Sequence, residues 1–142
     1  MRALILSVAS AAILALAGPA AAQSPIVIKF SHVVAPNTPK GLAADKFKEL
    51  AEKYTDGKVK VEVYPNSQLY KDKEELDALQ LGAVQMLAPS ISKFGPAGVK
   101  EFEVFDLPYI LPDKAALRRV TDGALGKKLF GLLQPKGIVG LA

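Results

Sequence analysis

Apolar positions along this chain come in short bursts separated by amphipathic stretches. Ile26-Val27-Ile28-Lys29-Phe30 is compact, rich in β-branched residues and reads as a buried strand. After a loop from Ser31 to Asn37, Thr38-Pro39 supplies a helix start: Thr38 caps, and Pro39 takes the first helical position, where a missing N–H costs nothing. Ala43, Phe47, Leu50, Ala51 and Tyr54 then recur at helical spacing, opposite Asp45, Lys48, Glu52 and Lys53. Gly57 can take the left-handed position that ends this helix. Lys58 to Tyr64 alternates strictly, putting Val59, Val61 and Val63 on one face of a second strand, which Pro65-Asn66 ends.

A second helix is expected from Asp72 to Leu81, with Leu76 and Leu79 inward and Gly82 closing it. Val84 to Ala88 reads as a third strand. The order strand, helix, strand, helix, strand with short links predicts a βαβαβ unit of parallel strands. After Pro89 the periodicity breaks, and Gly95, Pro96, Gly98, Pro108 and Pro112 punctuate an irregular stretch holding Phe102, Phe105 and Tyr109. Two helices are expected next. Asp113 caps the one carrying Ala116, Leu117 and Val120, and Thr121 or Asp122 starts the one carrying Leu125, Leu129, Leu132 and Leu133. Gly126 and Gly131 weaken the latter. Gly137 to Ala142 reads as the start of a crossing strand, so the chain is expected to be a fragment that stops where the polypeptide enters another part of the fold.

The N-terminus belongs to none of this. Met1-Arg2 is a short basic start, Leu4 to Ala17 is an apolar run, and Gly18-Pro19 precedes Ala20-Ala21-Ala22. This pattern predicts a signal peptide over residues 1–22, cleaved after Ala22, and export to the periplasm. A membrane anchor would need roughly 20 predominantly apolar residues without such interruptions. No later run approaches that length.

Composition narrows the chemistry. With no cysteine, the chain has no disulfide framework, thiolate metal site or catalytic thiol. The formal net charge is +4, of which Arg2 in the leader carries one, and the lysines are mixed with glutamates along helical faces. That distribution reads as a solvated surface and not as a nucleic-acid patch. Neither G-x-G-x-x-G, G-x-x-x-x-G-K-[ST] nor G-x-S-x-G occurs, so dinucleotide, triphosphate and common hydrolase signatures are missing. No cofactor is expected.

In open parallel sheets, ligands bind beyond the carboxyl ends of the strands. Three segments meet that rule: Ser31 to Lys40, Leu69 to Lys73 and Pro89 to Phe94. Together with the adjoining Gln68 they carry His32, Asn37, Thr38, Lys40, Lys71, Ser90, Ser92 and Lys93, an inventory rich in donors and poor in acids. The free amides of the helix start at Thr38-Pro39 add to it. A carboxylate ligand would suit this set. Lys71 and Lys73 also read as ordinary solvated lysines, and Ser90 either meets a ligand or caps its own backbone. His32, the only histidine, is a ligand donor or a packed, satisfied side chain; a catalytic base or metal ligand would need partners that its neighbours in sequence do not supply.

Several of these segments resemble one family. Ile28-Lys29-Phe30-Ser31-His32-Val33-Val34, Thr38-Pro39-Lys40-Gly41 and Val63-Tyr64-Pro65-Asn66-Ser67-Gln68-Leu69 are similar to the DctP-type solute receptors of tripartite ATP-independent periplasmic (TRAP) transporters. So are Glu75-Leu76, Leu79-Gln80-Leu81-Gly82-Ala83-Val84-Gln85-Met86 and Phe105-Asp106-Leu107-Pro108-Tyr109. The resemblance implies an α/β, periplasmic-binding-protein-like lobe over residues 23–136, with residues 137–142 leading towards a second lobe. It also implies a receptor, not an enzyme, that closes on a small organic acid, first of all a C4-dicarboxylate, and delivers it to TRAP permease subunits. His32, Val33, Pro89, Ser90 and Lys93 would lie at the ligand, with Lys40 and Lys71 close by. The family's carboxylate-clamping arginine would lie beyond Ala142, and Arg118 and Arg119 do not match it. The alternatives are an exported hydrolase using His32 and a sensory receptor using the same cleft.

Overall fold

The computed structural model describes residues 24–141; the expected leader and its cleavage point lie outside the described residues. Three parallel strands form one sheet in the order β2-β1-β3: β1 (Ile26–Ser31), β2 (Val59–Tyr64) and β3 (Met86–Leu87). Helix α1 (Pro39–Tyr54) crosses from β1 to β2, and the short α2 (Glu75–Gln80) crosses from β2 to β3. Two 3-10 turns, Ile91–Phe94 and Lys100–Asp106, then lead to α3 (Lys114–Thr121), α4 (Ala124–Gly131) and a last 3-10 turn, Gln134–Lys136.

Helix α1 forms as its sequence dictates. The Thr38 side chain accepts from the Gly41 N–H at 3.2 Å and donates to the Ala35 carbonyl at 2.7 Å, so one hydroxyl closes both the helix and the loop before it. A Cβ on Gly41 would sit 2.5 Å from the Ala35 and Pro36 carbonyl oxygens, so only glycine permits this approach. The valine alternation of β2 is obeyed: Val61 is fully buried, and Phe30, Ala44 and Val61 form a core under α1 with Ile28, Phe47, Val59 and Val63 packed around it. Burying one such side chain contributes about 1.5–3 kcal/mol.

Strand β1 is less enclosed than its composition implies. Ile26 is 67% exposed and Val27 40%, and only Phe30 and Ser31 within the strand are buried. Val27 points away from α1, towards which Ile28 and Phe30 point, and Ile26 stands at the open amino end of the strand. Strand β3 is also shorter than the expected Val84 to Ala88, because Gln85 uses its side chain where a ladder residue would use its backbone. Its Oε1 accepts from the Lys29 N–H at 3.0 Å, its N–H donates to the Lys29 carbonyl at 3.2 Å, and its Nε2 holds the Gly82 carbonyl at 3.0 Å.

On the other side of the molecule Phe94, Val99, Phe102, Leu129, Leu133 and Ile138 make a second core, with Leu76, Leu79, Phe105 and Phe130 against it. The aromatic residues of the irregular stretch are therefore structural: Phe102 is 1% exposed and stacks near Phe94, Phe105 and Phe130. Asp113 caps α3 as expected, accepting from the Ala116 N–H at 2.7 Å. The start of α4 differs from expectation: Gly123, not Thr121 or Asp122, stands at its N-cap. A Cβ on Gly126 would fall 1.8 Å from the Thr121 carbonyl oxygen, so this glycine lets α4 run close against the end of α3. Residues 138–141 are not a strand in this structure. Ile138 is buried, but the segment has no ladder partner among the described residues, and it faces β3 across an apolar concavity of about 670 Å³.

Candidate functional site

The loops that follow the strands are tied together before any ligand is considered. His32 N–H donates to the Tyr64 carbonyl at 3.0 Å, Ser67 N–H to the His32 carbonyl at 3.2 Å, and Asn66 N–H to the Val34 carbonyl at 3.0 Å. Asn66 and Ser67 make this possible by adopting left-handed backbone angles, φ 54° and 56°. Asparagine tolerates that region, but for serine it is a strained choice. The segments after β1 and after β2 thus form one hydrogen-bonded unit at the carboxyl end of the sheet.

A second tie links the remaining segments. The Lys93 ammonium pairs with the Asp72 carboxylate, joining the turn before α2 to the 3-10 turn after β3. Lys71 begins the approach to α2. Its N–H donates to the Glu74 carboxylate at 3.1 Å and its carbonyl accepts from Glu74 and Glu75, a reciprocal box that makes Asp72 to Glu74 a turn instead of the expected first helical turn.

The residues singled out by sequence fall into distinct environments. His32 is 0% exposed, packed edge-on to Phe30 with ring centroids 6.2 Å apart, and neither ring nitrogen has a hydrogen-bond partner among the described residues. It is packed, then, but not satisfied. Burial pushes its pKa below the ordinary value of 6.5; the Val34 backbone and the Asp45 carboxylate oppose that shift, and the Lys40 ammonium adds to it. Val33, Lys40 and Pro89 are half-buried, and Lys71 is exposed. Ser90 is exposed and makes no side-chain cap, so its hydroxyl is left for other partners, and it lines a groove of about 510 Å³ with Ser92, Phe105, Leu107 and Tyr109. Lys93 is half-buried and committed to Asp72.

The helix start offers an anion less than its sequence implies, since Pro39 has no N–H and Thr38 already holds that of Gly41. Among the described residues no group of three His, Asp or Glu side chains is arranged to hold a metal ion.

Sequence reasoning missed one residue. Glu75 is 1% exposed, accepts from the Ser31 hydroxyl at 3.1 Å through Oε1, and has no partner for Oε2 among the described residues. Burial raises its pKa above the ordinary 4.5; the Ser31 hydrogen bond opposes the shift, the Asp72 carboxylate reinforces it, and the Lys40 ammonium opposes it. The signal was present: Glu75 precedes Ala78 and Leu79 by three and four residues, which puts it on the inward face of α2. Ser31, His32, Lys40 and Glu75 therefore converge on the carboxyl end of β1, the first two and Glu75 sealed from solvent and Lys40 acting electrostatically on His32 and Glu75.

Known proteins share this sequence and fold. Residues 30–142 match the family DctP, described as bacterial extracellular solute-binding protein, family 7. The C4-dicarboxylate-binding periplasmic protein DctP of Rhodobacter capsulatus is 72% identical over 134 residues, covering 94% of this chain and 40% of that protein. The C4-dicarboxylate-binding protein DctB of Bacillus subtilis is 51% identical over 120 residues, covering 84% of this chain and 34% of that protein. A TRAP periplasmic solute-binding protein of Pseudomonas aeruginosa, solved with bound L-malate, superposes with a TM-score of 0.78 at 52% identity, covering 83% of this chain and 41% of that one. This chain thus spans about two fifths or less of the length of these relatives. It belongs to the DctP family of bacterial extracellular solute-binding proteins.

Proposed function

We propose that this chain is the first lobe, residues 23–136, of a periplasmic receptor that binds a C4-dicarboxylate and delivers it to the membrane subunits of a TRAP transporter. Residues 137–142 lead towards the second lobe, and residues 1–22 are removed on export. The reading is carried by the 72% identity to a C4-dicarboxylate-binding periplasmic protein across 94% of the chain. The bonded unit of loops at the carboxyl end of the sheet is where an open α/β fold takes a ligand.

In this reading the lobe is one jaw of a hinge. Ser90 offers its uncapped hydroxyl, Lys40 and Lys71 supply positive potential at the rim, and Val33 and Pro89 shape the wall. His32 acts from behind the wall as a packed ring that sets the loop, because its side chain is closed to solvent. Lys93 acts by holding the Pro89–Phe94 segment against Asp72. With that lysine engaged, the two carboxylates of the ligand need a stronger clamp than this lobe supplies, and bidentate recognition by arginine from the other jaw fits the need. Ligand bridging both jaws favours the closed form through contacts absent in the open one. The hydrolase reading gains nothing from the geometry, since a histidine sealed from solvent cannot reach a substrate.

The test is a hybrid receptor in which this chain replaces the 134 matching residues of the Rhodobacter capsulatus relative. Isothermal titration with succinate, malate, fumarate and galactonate should show saturable binding of the C4 acids and preference over the sugar acid. Failure to bind any C4 acid, in a hybrid that melts cooperatively, overturns the reading. Ser90→Ala should weaken succinate binding by about 2- to 10-fold, the value of one neutral hydrogen bond.

A further inference from the structure

An inward-facing position on a short helix is expected to be apolar, as Ala78 and Leu79 of α2 are, yet Glu75 fills one and is 1% exposed. Its one hydrogen-bond partner is a neutral hydroxyl, that of Ser31. Lys40, the cation whose field reaches it, forms no ion pair with it, and Asp72 on the approach to α2 is occupied by Lys93. An ionised carboxylate enclosed in this way would cost several kcal/mol without compensation, whereas the acid form keeps the Ser31 bond and adds a donor. A rule of local packing broken in this manner marks a functional position more often than a structural one. Here the position grips Ser31, the last residue of β1, from which the loop to Lys40 departs.

We propose that Glu75 is a positioning residue of the ligand site that works as a neutral acid: gripped by the Ser31 hydroxyl beneath the carboxyl end of β1, it fixes the root of the first loop without presenting a charge to an anionic ligand. The inference rests on the receptor reading above. It assigns Oε2 a proton and makes that atom a donor, to an enclosed water or to the ligand side of the cleft. Burial already raises the pKa of this group, and a dicarboxylate arriving at the same strand end raises it further, because like charges disfavour ionisation. Ligand and proton therefore help each other to bind. The groups facing Glu75 are Ser31 from β1, Asp72 from the turn before α2 and Lys40 from α1.

The hybrid receptor tests this through the pH dependence of succinate affinity, compared with Glu75→Gln from the carboxyl's ordinary 4.5 up to about pH 8. Glutamine keeps the shape and the Ser31 bond and cannot ionise. Titration of the ligand, of His32 and of every other group is common to both proteins, so their difference isolates Glu75. The parent should lose affinity relative to E75Q as pH rises, by up to about tenfold per pH unit once Glu75 ionises freely. E75Q should match the parent within about threefold at the acid end. Ser31→Ala removes a bond that favours the charged form, so it should move the parent's fall in affinity to higher pH, which a purely structural serine would not do. Identical pH profiles for parent and E75Q overturn the inference and leave the receptor reading intact, as does an E75Q protein that melts like the parent and binds nothing. A parent hybrid that binds no C4 acid sinks both.

Discussion

The Lys48 ammonium donates to the Val61 carbonyl at 2.6 Å, and the Glu52 carboxylate one helical turn further on accepts the Val61 N–H at 3.0 Å while bonding Lys48 at 2.9 Å. Val61 lies in the edge strand β2, so two side chains of α1 satisfy both backbone groups of one residue that the sheet leaves unpaired. An edge closed in this way cannot recruit a foreign strand at that point.

Glu52 therefore contributes to stability as an anion. The Lys48 hydrogen bond, and after it the Val61 N–H, hold its pKa below the ordinary 4.5. A group whose folded pKa is depressed stabilises fully above its unfolded value, and that contribution is lost as pH falls through the folded one. Urea unfolding of the hybrid receptor from neutral pH down to about pH 3 should show parent and Glu52→Gln converging towards acid. Parallel curves would refute the assignment. Glu52→Ala should also cost more than Glu49→Ala, since Glu49 forms only an exposed pair with Lys46.

Two glycines of α4 should respond oppositely to the same change. Gly131→Ala places its methyl in open space and should raise stability by about 0.5–1 kcal/mol through helix propensity. Gly126→Ala drives its methyl into the Thr121 carbonyl, a backbone atom that cannot rotate away, and should lower stability by about 1–3 kcal/mol. Thermal melts of the two variants side by side decide it; a stabilised Gly126→Ala would show that α3 and α4 are not held together as described.

His32 should make the receptor sensitive to acid. Its folded pKa lies below the unfolded 6.5, so its stabilising effect is complete above 6.5 and declines as pH drops from there towards the folded value. His32→Phe keeps a packed ring, removes two unpartnered nitrogens and should flatten the melting temperature between about pH 7 and pH 5. An unchanged slope would place the acid sensitivity elsewhere.

Phe102 anchors the second core, and Phe102→Ala should cost about 3–5 kcal/mol, enough to abolish cooperative melting if that region unfolds with the rest. The Thr38→Ala change removes one cap and should cost about 0.5–2 kcal/mol. A larger loss at Thr38 than at Phe102 would reverse the order of importance given to them.

Much of this was legible in the sequence. Thr38-Pro39 and Asp113 act as the helix starts they resemble, and Val59, Val61 and Val63 share a face. Caps and alternation are local, so a few neighbouring residues decide them. What escaped depends on residues far apart. Gln85 truncates β3 by reaching Lys29, which lies 56 positions away, and no periodicity reports such a substitution of side chain for backbone. Gly126, read as a weakness in a helix, is required by a carbonyl that only the packed pair of helices brings near. At the candidate site, the loops after β1 and β3 follow from the strand ends alone. The sealing of His32, the engagement of Lys93 and the burial of Glu75 needed the fold, because side-chain chemistry does not say which neighbour it will meet.

The bonds from Asn66 and Ser67 back to Val34 and His32 carry a lesson for anyone re-engineering this lobe. Transplanting only the stretch behind the first strand from a relative of different specificity would leave the backbone donors of Asn66 and Ser67 facing displaced acceptors. Selectivity should transfer when both stretches travel as a cassette, and half-swapped proteins should misfold locally before they ever change their taste in ligands.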